Sequence, residues 1–281
     1  MAQYQCSEIG PKDHSKITAL VTPAGHYEAL MIRQAALAPS AHGGWWYGAW
    51  TAGELHAVAW VLDSFANIHA INHESARALG DSMARAVGGR ISTGGTHQVF
   101  GPEDIIDTFW QTFKGVKRTL VADLRRELFS LSQAPAPKEG YNAFAATAKE
   151  SKTVEELCAE QMIEDWGVDP RRTAKQAHEA HCKMLIDEKR ALLGQQKGKI
   201  VFFGEKIPHD SGATLLERLY VPLPFRRPRV LSGILSHLAA LTLKDTKELL
   251  SFVDLSKEVW VEAFKSVDFT SKGRFRLLRL R

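Results

Sequence analysis

A chain of 281 residues is long for a single core, so two domains are expected. With 44% hydrophobic and 24% charged residues it has a globular composition, and no run of about eighteen apolar residues exists to form a membrane span. A net charge of +4 permits an anionic partner without demanding one.

The polar start, MAQYQCSEIGPKDHSK, lacks the apolar core of a secretory signal. Cys6, Cys158 and Cys182 are few, odd in number and scattered, which fits free thiols in a reducing cytoplasm better than a disulfide frame. Residues 15–21, SKITALV, have strand character. Residues 24–37 place Tyr27, Leu30, Met31 and Leu37 near one helical face. GGWWYGAW and ELHAVAWVL flank TAGE, the pattern of a hairpin. ESARALGDSMARAVG reads as a helix ending at Gly88. DIIDTFWQTF, after Gly101 and Pro102, reads as another helix, and RELFSLS as a closing strand.

Residues 133–140 contain APAP, which continues neither a helix nor a central strand, so a linker is expected there. The order of elements then repeats. NAFAATA is a strand. Residues 153–167 form a helix with Thr153 and Glu156 spaced as a capping box. Residues 169–190 form a second helix with Pro170 in its first turn. ALLGQQ, GKIVFFGEKI and ATLLERLYVPL form an antiparallel meander with a tight turn near Lys197 and Gly198. An arginine-rich loop leads into the helix RVLSGILSHLAALT. Strand ELLSFVDL, helix SKEVWVEAFKSVDF and strand RFRLLRLR complete the chain.

Strand, two helices, three strands, a loop-led helix, strand, helix, strand: this order resembles the GNAT superfamily of N-acyltransferases. Residues 142–281 carry it through GVDPRR, the meander ending in LYVPLPFRR, the VLSGIL helix and EAFKSVDF. The first half resembles a diverged copy, so the whole chain is similar to bacterial tandem GNAT proteins. The resemblance implies an α/β (α+β) fold of two GNAT-like domains, each a mixed, mainly antiparallel twisted sheet flanked by helices. The implied division is 1–135 for a degenerate N-terminal domain and 139–281 for the acyltransferase domain.

In that family a splay between two central strands admits the acyl chain of the donor. The strand end equivalent to Leu219, Tyr220 and Val221 pairs with the donor's pantetheine. The next loop usually reads Arg/Gln-x-x-Gly-x-Gly/Ala and binds the pyrophosphate of coenzyme A. Here it reads Arg227-Pro228-Arg229-Val230-Leu231-Ser232, followed by Gly233. Val230 brings a branched Cβ to a place where glycine lets backbone approach phosphate, and Pro228 removes an N–H donor. Arg226, Arg227 and Arg229 remain as side-chain cations suited to phosphate, with Ser232 and Gly233 completing the implied donor site. A solvated arginine turn is the competing explanation. A second motif usually reads Asn-x-x-Ala-x-x-x-Tyr-x-x-x-Gly-Phe. Here Lys257, Trp260, Phe264, Asp268 and Phe269 stand in those places, so the proton-donating tyrosine is absent and Trp260 replaces a small residue.

An amide-forming site needs a base for the attacking amine. Glu217 is the first candidate, because this strand often carries the base in the family. Strand alternation sets it on the face of Leu219 and Val221. Tyr220 could protonate the leaving group. The competing roles are a strand carboxylate paired with arginine and a packed strand aromatic. His209 and Asp210, in the turn IPHDSG, could reach a substrate from the rim, against the commoner role of a surface turn. His178, His181 and Cys182 share a helix, but no second ligand pair matches them, so solvated helix histidines and no metal are expected. His56, His69 and His73 lack zinc-ligand grouping, and GGRISTGG lacks the lysine and hydroxyl of a Walker loop. WWYGAW reads as domain core or interface, and KGRFRLLRLR as an edge strand guarded by charge.

The expected activity is cytoplasmic transfer of an acyl group from an acyl-CoA, as substrate, to the amine of a small molecule. Two alternatives stay open. One is an aminoacyl-tRNA donor, in which a basic rim replaces the glycine cradle and no cofactor is needed. The other is an inactive GNAT fold serving as a binding module.

Overall fold

Ile17 and Val21 lie four residues apart and both are buried while Ala19 between them is exposed, a helical rather than a strand pattern. Residues 15–21 accordingly belong to helix α1, His14–Val21, and not to the expected strand. In this computed structural model the described residues are 3–22, 27–37, 43–62, 65–86, 97–113, 119–209 and 211–281. The chain forms two units, Met1–Glu127 with Gly273–Arg281, and Leu128–Lys272.

The first unit runs β1 (Gln5–Glu8), α1, α2 (Tyr27–Leu37), β2 (Trp45–Thr51), β3 (Glu54–Val61), β4 (Phe65–Ala70), α3 (His73–Ala86), β5 (His97–Pro102), α4 (Glu103–Phe113) and the first part of β6 (Leu120–Leu131). Its strand order is β1-β2-β3-β4-β5-β12-β6, where β12 is Thr270–Leu280. The hairpin of β2 and β3 stands as expected, and β4 and β5 run parallel among antiparallel neighbours. Trp46 is buried and stacked on Trp60, so part of the WWYGAW run is core, while Trp45 is exposed.

The C-terminal strand corrects an expectation. It is not an edge, because β12 lies between β5 and β6. Phe275, Leu277, Leu278 and Leu280 are buried. Arg276 is buried as well, held by Asp123 at 2.9 and 2.7 Å and by Asp107 at 2.8 Å.

The second unit repeats the element order: β7 (Tyr141–Ala145), α5 (Ser151–Trp166), α6 (Pro170–Thr173), α7 (Lys175–Asp187), β8 (Ala191–Gln196), β9 (Lys199–Pro208), β10 (Ala213–Tyr220), α8 (Pro228–Thr242), β11 (Glu248–Asp254) and α9 (Glu258–Lys265). Its strand order is β6-β11-β10-β9-β8-β7. The meander β8-β9-β10 is antiparallel as expected, and β10 runs parallel to β11. Two local expectations fail. The capping box is made by Thr147 and Glu150, six residues before the expected pair, and α5 starts at Ser151. The helix expected over 169–190 breaks at Ala174, whose φ of −154° and ψ of 48° are not helical. Asp169 caps the short α6 through the Arg171 N–H, so Pro170 does sit at a helix start. No helix among the described residues is long and apolar enough to cross a membrane.

Candidate active site

The parallel register of β10 and β11 runs from Ala213↔Glu248 to Leu216↔Ser251, although β10 continues to Tyr220 and β11 to Asp254. The buried Ser251 hydroxyl donates to the Leu216 carbonyl at 3.0 Å and fastens the last paired position. Beyond it β10 bulges. Glu217 faces Glu205 and Tyr220 faces Phe203, so three steps on β10 span two on β9. Arg218 takes up the extra residue with φ +52°, a left-handed conformation that a side chain adopts at a cost.

The bulge changes which side chains share a face. Phe203 and Glu205 are two apart on β9 and point the same way, and cross-strand partners share a face. Glu217 and Tyr220 therefore lie on one face. Leu219 packs instead against the core cluster that holds Val221, Val230 and Trp260. Simple alternation, which grouped Glu217 with Leu219 and Val221, fails at this point.

The bulge is anchored from α7 and β9. Arg218 Nη1 donates to His181 Nε2 at 2.8 Å, and its Nε lies 3.7 Å from Glu205, a buried carboxylate that also pairs with Arg190. Burial and then the Arg218 charge push His181 below the usual histidine range, in keeping with a neutral ring that accepts from arginine. Tyr220 is half-buried. Burial, followed by the Glu160 charge, pushes its phenol above the usual range, so it stays protonated as a donor.

Arg226 is committed locally. Its Nε donates to the Val221 carbonyl at 2.6 Å, its guanidinium pairs with Glu164 of α5, and it lies 5.5 Å over the Tyr220 ring. Lys257 joins Glu164 and Asp165 at 3.2 Å each. Arg227 and Arg229 are exposed and form no ion pair among the described residues.

The start of α8 is closed on itself. The Val230 and Leu231 N–H groups both donate to the Arg227 carbonyl, at 2.9 and 3.0 Å, and Pro228 has no N–H. Val230, Leu231 and Trp260 are buried together, with the Trp260 and Phe202 rings 6.3 Å apart. Ser232 is buried and its hydroxyl accepts from Lys138 Nζ at 3.0 Å. A Cβ on Gly233 would lie 2.5 Å from the Tyr141 ring, so residues 138–141 run along this helix. His209 closes the turn before β10, at the opposite end of the strand from Tyr220 and roughly 20 Å away at ~3.3 Å per residue. Asp210 lies outside the described residues.

The structure thus sets Glu217 and Tyr220 on one face of β10, and places Arg226, Glu160 and Glu164 around Tyr220. It does not bring His209 to them. Sequence reasoning missed Glu160 and Glu164, although their spacing of four puts both on one helical face. It also misjudged the α7 histidines. His178 is buried, with Nε2 donating to the Glu155 carbonyl at 3.0 Å, and His181 is half-buried on Arg218, so neither is a solvated helix residue.

In the first unit the corresponding parallel strands close up. Their register reaches Asn67↔Phe100, and a Cβ on the next residue, Gly101, would lie 2.5 Å from the Ile68 carbonyl. β4 pairs with β3 from Ala57↔Ala70 to Val61↔Ala66 without a register shift, so it carries no bulge of the β10 kind.

No protein-family model matches the chain, and no curated protein matches it. Solved structures do. A GCN5-related N-acetyltransferase from Sphaerobacter thermophilus is similar over 98% of this chain and 95% of its own, with TM-score 0.64 and 16% identity. A GNAT-family acetyltransferase from Colwellia psychrerythraea is similar over 99% of this chain and all of its own, with TM-score 0.61 and 12% identity. A tandem GNAT protein from the clavulanic acid biosynthesis pathway is similar over 99% and 98%, with TM-score 0.58 and 9% identity. At such identities the likeness is one of fold, and it spans both units.

Proposed function

We propose that this tandem GNAT fold is an amide-forming acyltransferase whose reaction takes place in the second unit, at the end of β10. The observation that carries the reading is the bulge. It sets a carboxylate, Glu217, and a phenol kept protonated, Tyr220, on one face just past the last paired position of a parallel strand pair. The amine of a small acceptor attacks the acyl carbonyl carbon, and the bond from that carbon to the donor breaks. Glu217 takes the proton from the amine, directly or through a water, and Tyr220 gives one to the departing atom. Leu219 and Val221 line the strand end against which the donor lies.

An acyl-CoA is the donor that the fold suggests. A specific observation favours a second donor, an aminoacyl-tRNA. The Val230 and Leu231 N–H groups at the start of α8 are already bonded, Arg226 is tied to Glu164, and Trp260 fills the core beside them, while Arg227 and Arg229 stand free in solvent. That arrangement is a poor cradle for a compact pyrophosphate and a fair rim for a phosphate backbone.

One experiment separates the readings. Binding of acetyl-CoA and of charged tRNA is measured across a salt series for the wild type and for Arg227→Ala/Arg229→Ala. A coenzyme donor predicts micromolar binding with a modest salt effect, and acyl transfer to an amine. A tRNA donor predicts a steep fall with salt, with a slope smaller by roughly one for each arginine removed. Binding of neither donor, with no transfer to any amine tested, overturns the enzyme reading and leaves a binding module.

A further inference from the structure

Helix α7 carries His178 and Cys182 one turn apart, so both project from one face. Helix α5 supplies Cys158 opposite them. The two sulfurs and a ring nitrogen all lie within 4.8 Å of one another, and all three residues are buried. Cys182 Sγ lies 3.9 Å from Nδ1 and 3.8 Å from Nε2 of His178. Two thiolates at ~2.3 Å and an imidazole at ~2.0 Å from one centre span separations of this size.

Two further features fit a ligand set better than a chance meeting of core residues. First, a carbonyl can only accept, so the contact from His178 Nε2 to the Glu155 carbonyl at 3.0 Å fixes the proton on Nε2. That leaves the Nδ1 lone pair available, and a backbone carbonyl is a usual outer partner of a metal-bound histidine. Second, the surroundings are dry. Val154, Leu185 and Phe203 belong to the same core cluster as the two cysteines.

We propose that Cys158, Cys182 and His178 form a buried site for a thiophilic d10 cation, zinc(II) or copper(I), clamping α5 to α7 behind the β10 bulge. On binding, the Cys158 and Cys182 thiols each lose a proton to solvent and both sulfurs bond the ion. Two thiolates neutralise a divalent ion, and a trigonal set of two thiolates and one imidazole suits a monovalent soft ion without a fourth ligand. The site is separate from the acyl-transfer reading and does not rest on it. Cys182 lies next to His181, which holds Arg218 at the bulge, so the clamp steadies the strand that carries Glu217 and Tyr220.

The test uses the full chain. Wild-type protein is purified without chelator and its zinc and copper are measured by mass spectrometry. It is then reloaded with zinc(II), or with copper(I) under reducing anaerobic conditions. Bound metal of about one equivalent per chain is expected, released to a chromophoric chelator when a thiol-blocking reagent is added to the unfolded chain. Cadmium(II) in place of either ion should give thiolate charge-transfer absorption. Cys158→Ser should abolish that band, and His178→Gln should weaken binding by about tenfold or more. Zinc in the purified protein assigns the divalent ion, and copper alone the monovalent one. Wild type that holds no metal under either loading, with no charge-transfer band and two freely titrating thiols, overturns the proposal. So does a Cys158–Cys182 disulfide in protein prepared without oxidant. These outcomes are read on the wild type, so a variant that fails to fold does not shield the proposal.

Discussion

Glu217 is judged by what its replacement does to turnover while binding stays intact. If it accepts the amine proton, Glu217→Gln keeps the shape and hydrogen-bonding size of the side chain but removes its basicity. The expected result is a fall in kcat of about 10² or more with little change in donor affinity, read by steady-state kinetics beside a binding titration. Activity within a few-fold of wild type would take Glu217 out of the mechanism. Asp123 makes a second prediction at this scale. The hydrogen bond from Arg276 is the main cause holding its carboxyl below the usual range, with the Arg276 and Arg125 charges adding to it and burial opposing. A depressed carboxyl contributes stability that is present above the unfolded-state value near 4 and is lost as pH falls through the lower folded-state value. Asp123→Asn should therefore destabilise the first unit by about 1–2 kcal/mol at neutral pH, the figure discounted because the side chain keeps about a third of its surface in water. It should also flatten the acid limb of the stability curve. A mutant with an unchanged acid limb in denaturant titrations from pH 7 to 3 would remove the pair from that account. Glu217 and Tyr220 enter the proposal one by one through the family resemblance, and the sequence does not put them on a shared face. Alternation is a rule for regular strands, and the extra residue at Arg218 has no composition signal, since arginine is not a residue that favours a positive φ.

Elements with a clean period could be read, and elements decided by their surroundings could not. The meander β8-β9-β10, the β2-β3 hairpin and helix α8 follow from alternation or helical spacing. Residues 15–21 mix β-branched and helix-forming side chains, and burial of Ile17 and Val21 with Ala19 exposed between them fits a helix and not a strand. The basic C-terminal strand looks like a guarded edge because its arginines alternate with apolar residues, yet one of them, Arg276, is buried on two carboxylates that arrive from elsewhere in the chain. Gly233 shows the same dependence on packing. Taken alone, glycine inside α8 weakens the helix by about 1 kcal/mol relative to alanine. Its Cβ position is occupied by the Tyr141 ring, with the ring's Cγ at 2.7 Å as well as its edge at 2.5 Å, so the whole side chain would have to shift. Gly233→Ala is expected to lose more through overpacking than it gains in propensity, a net destabilisation of about 1–2 kcal/mol. Equilibrium unfolding of the two proteins measures it, and a stabilised Gly233→Ala would show that the β7–α8 contact yields easily.

At the scale of the whole chain, the two repeats of element order are not the two units. Residues 273–281 close the first unit, where β12 pairs with β5 from Phe275↔Pro102 to Leu280↔His97, and residues 128–131 of β6 belong to the second, beside β11. We propose 1–135 and 139–281 as the boundaries of the repeats in sequence, and a fragment experiment asks whether they are also boundaries of folding. The fragment 1–135 lacks Phe275, Leu277, Leu278 and Leu280, whose burial contributes together about 6–12 kcal/mol as an upper estimate. It also leaves Asp107 and Asp123 without Arg276 and exposes β5 as a bare edge. A loss of that size matches the whole stability of an ordinary domain. Fragment 1–135 should therefore aggregate or unfold without cooperativity, and a peptide of residues 270–281 supplied in trans should restore a cooperative transition. Fragment 139–281 should fare worse than 128–272, because only the longer start keeps the β6 segment beside β11. Circular dichroism melts of the four species decide the matter. A cooperative transition for 1–135 alone, unchanged by the peptide, would mean that the repeats fold as independent domains and that the last strand adds little to the first unit.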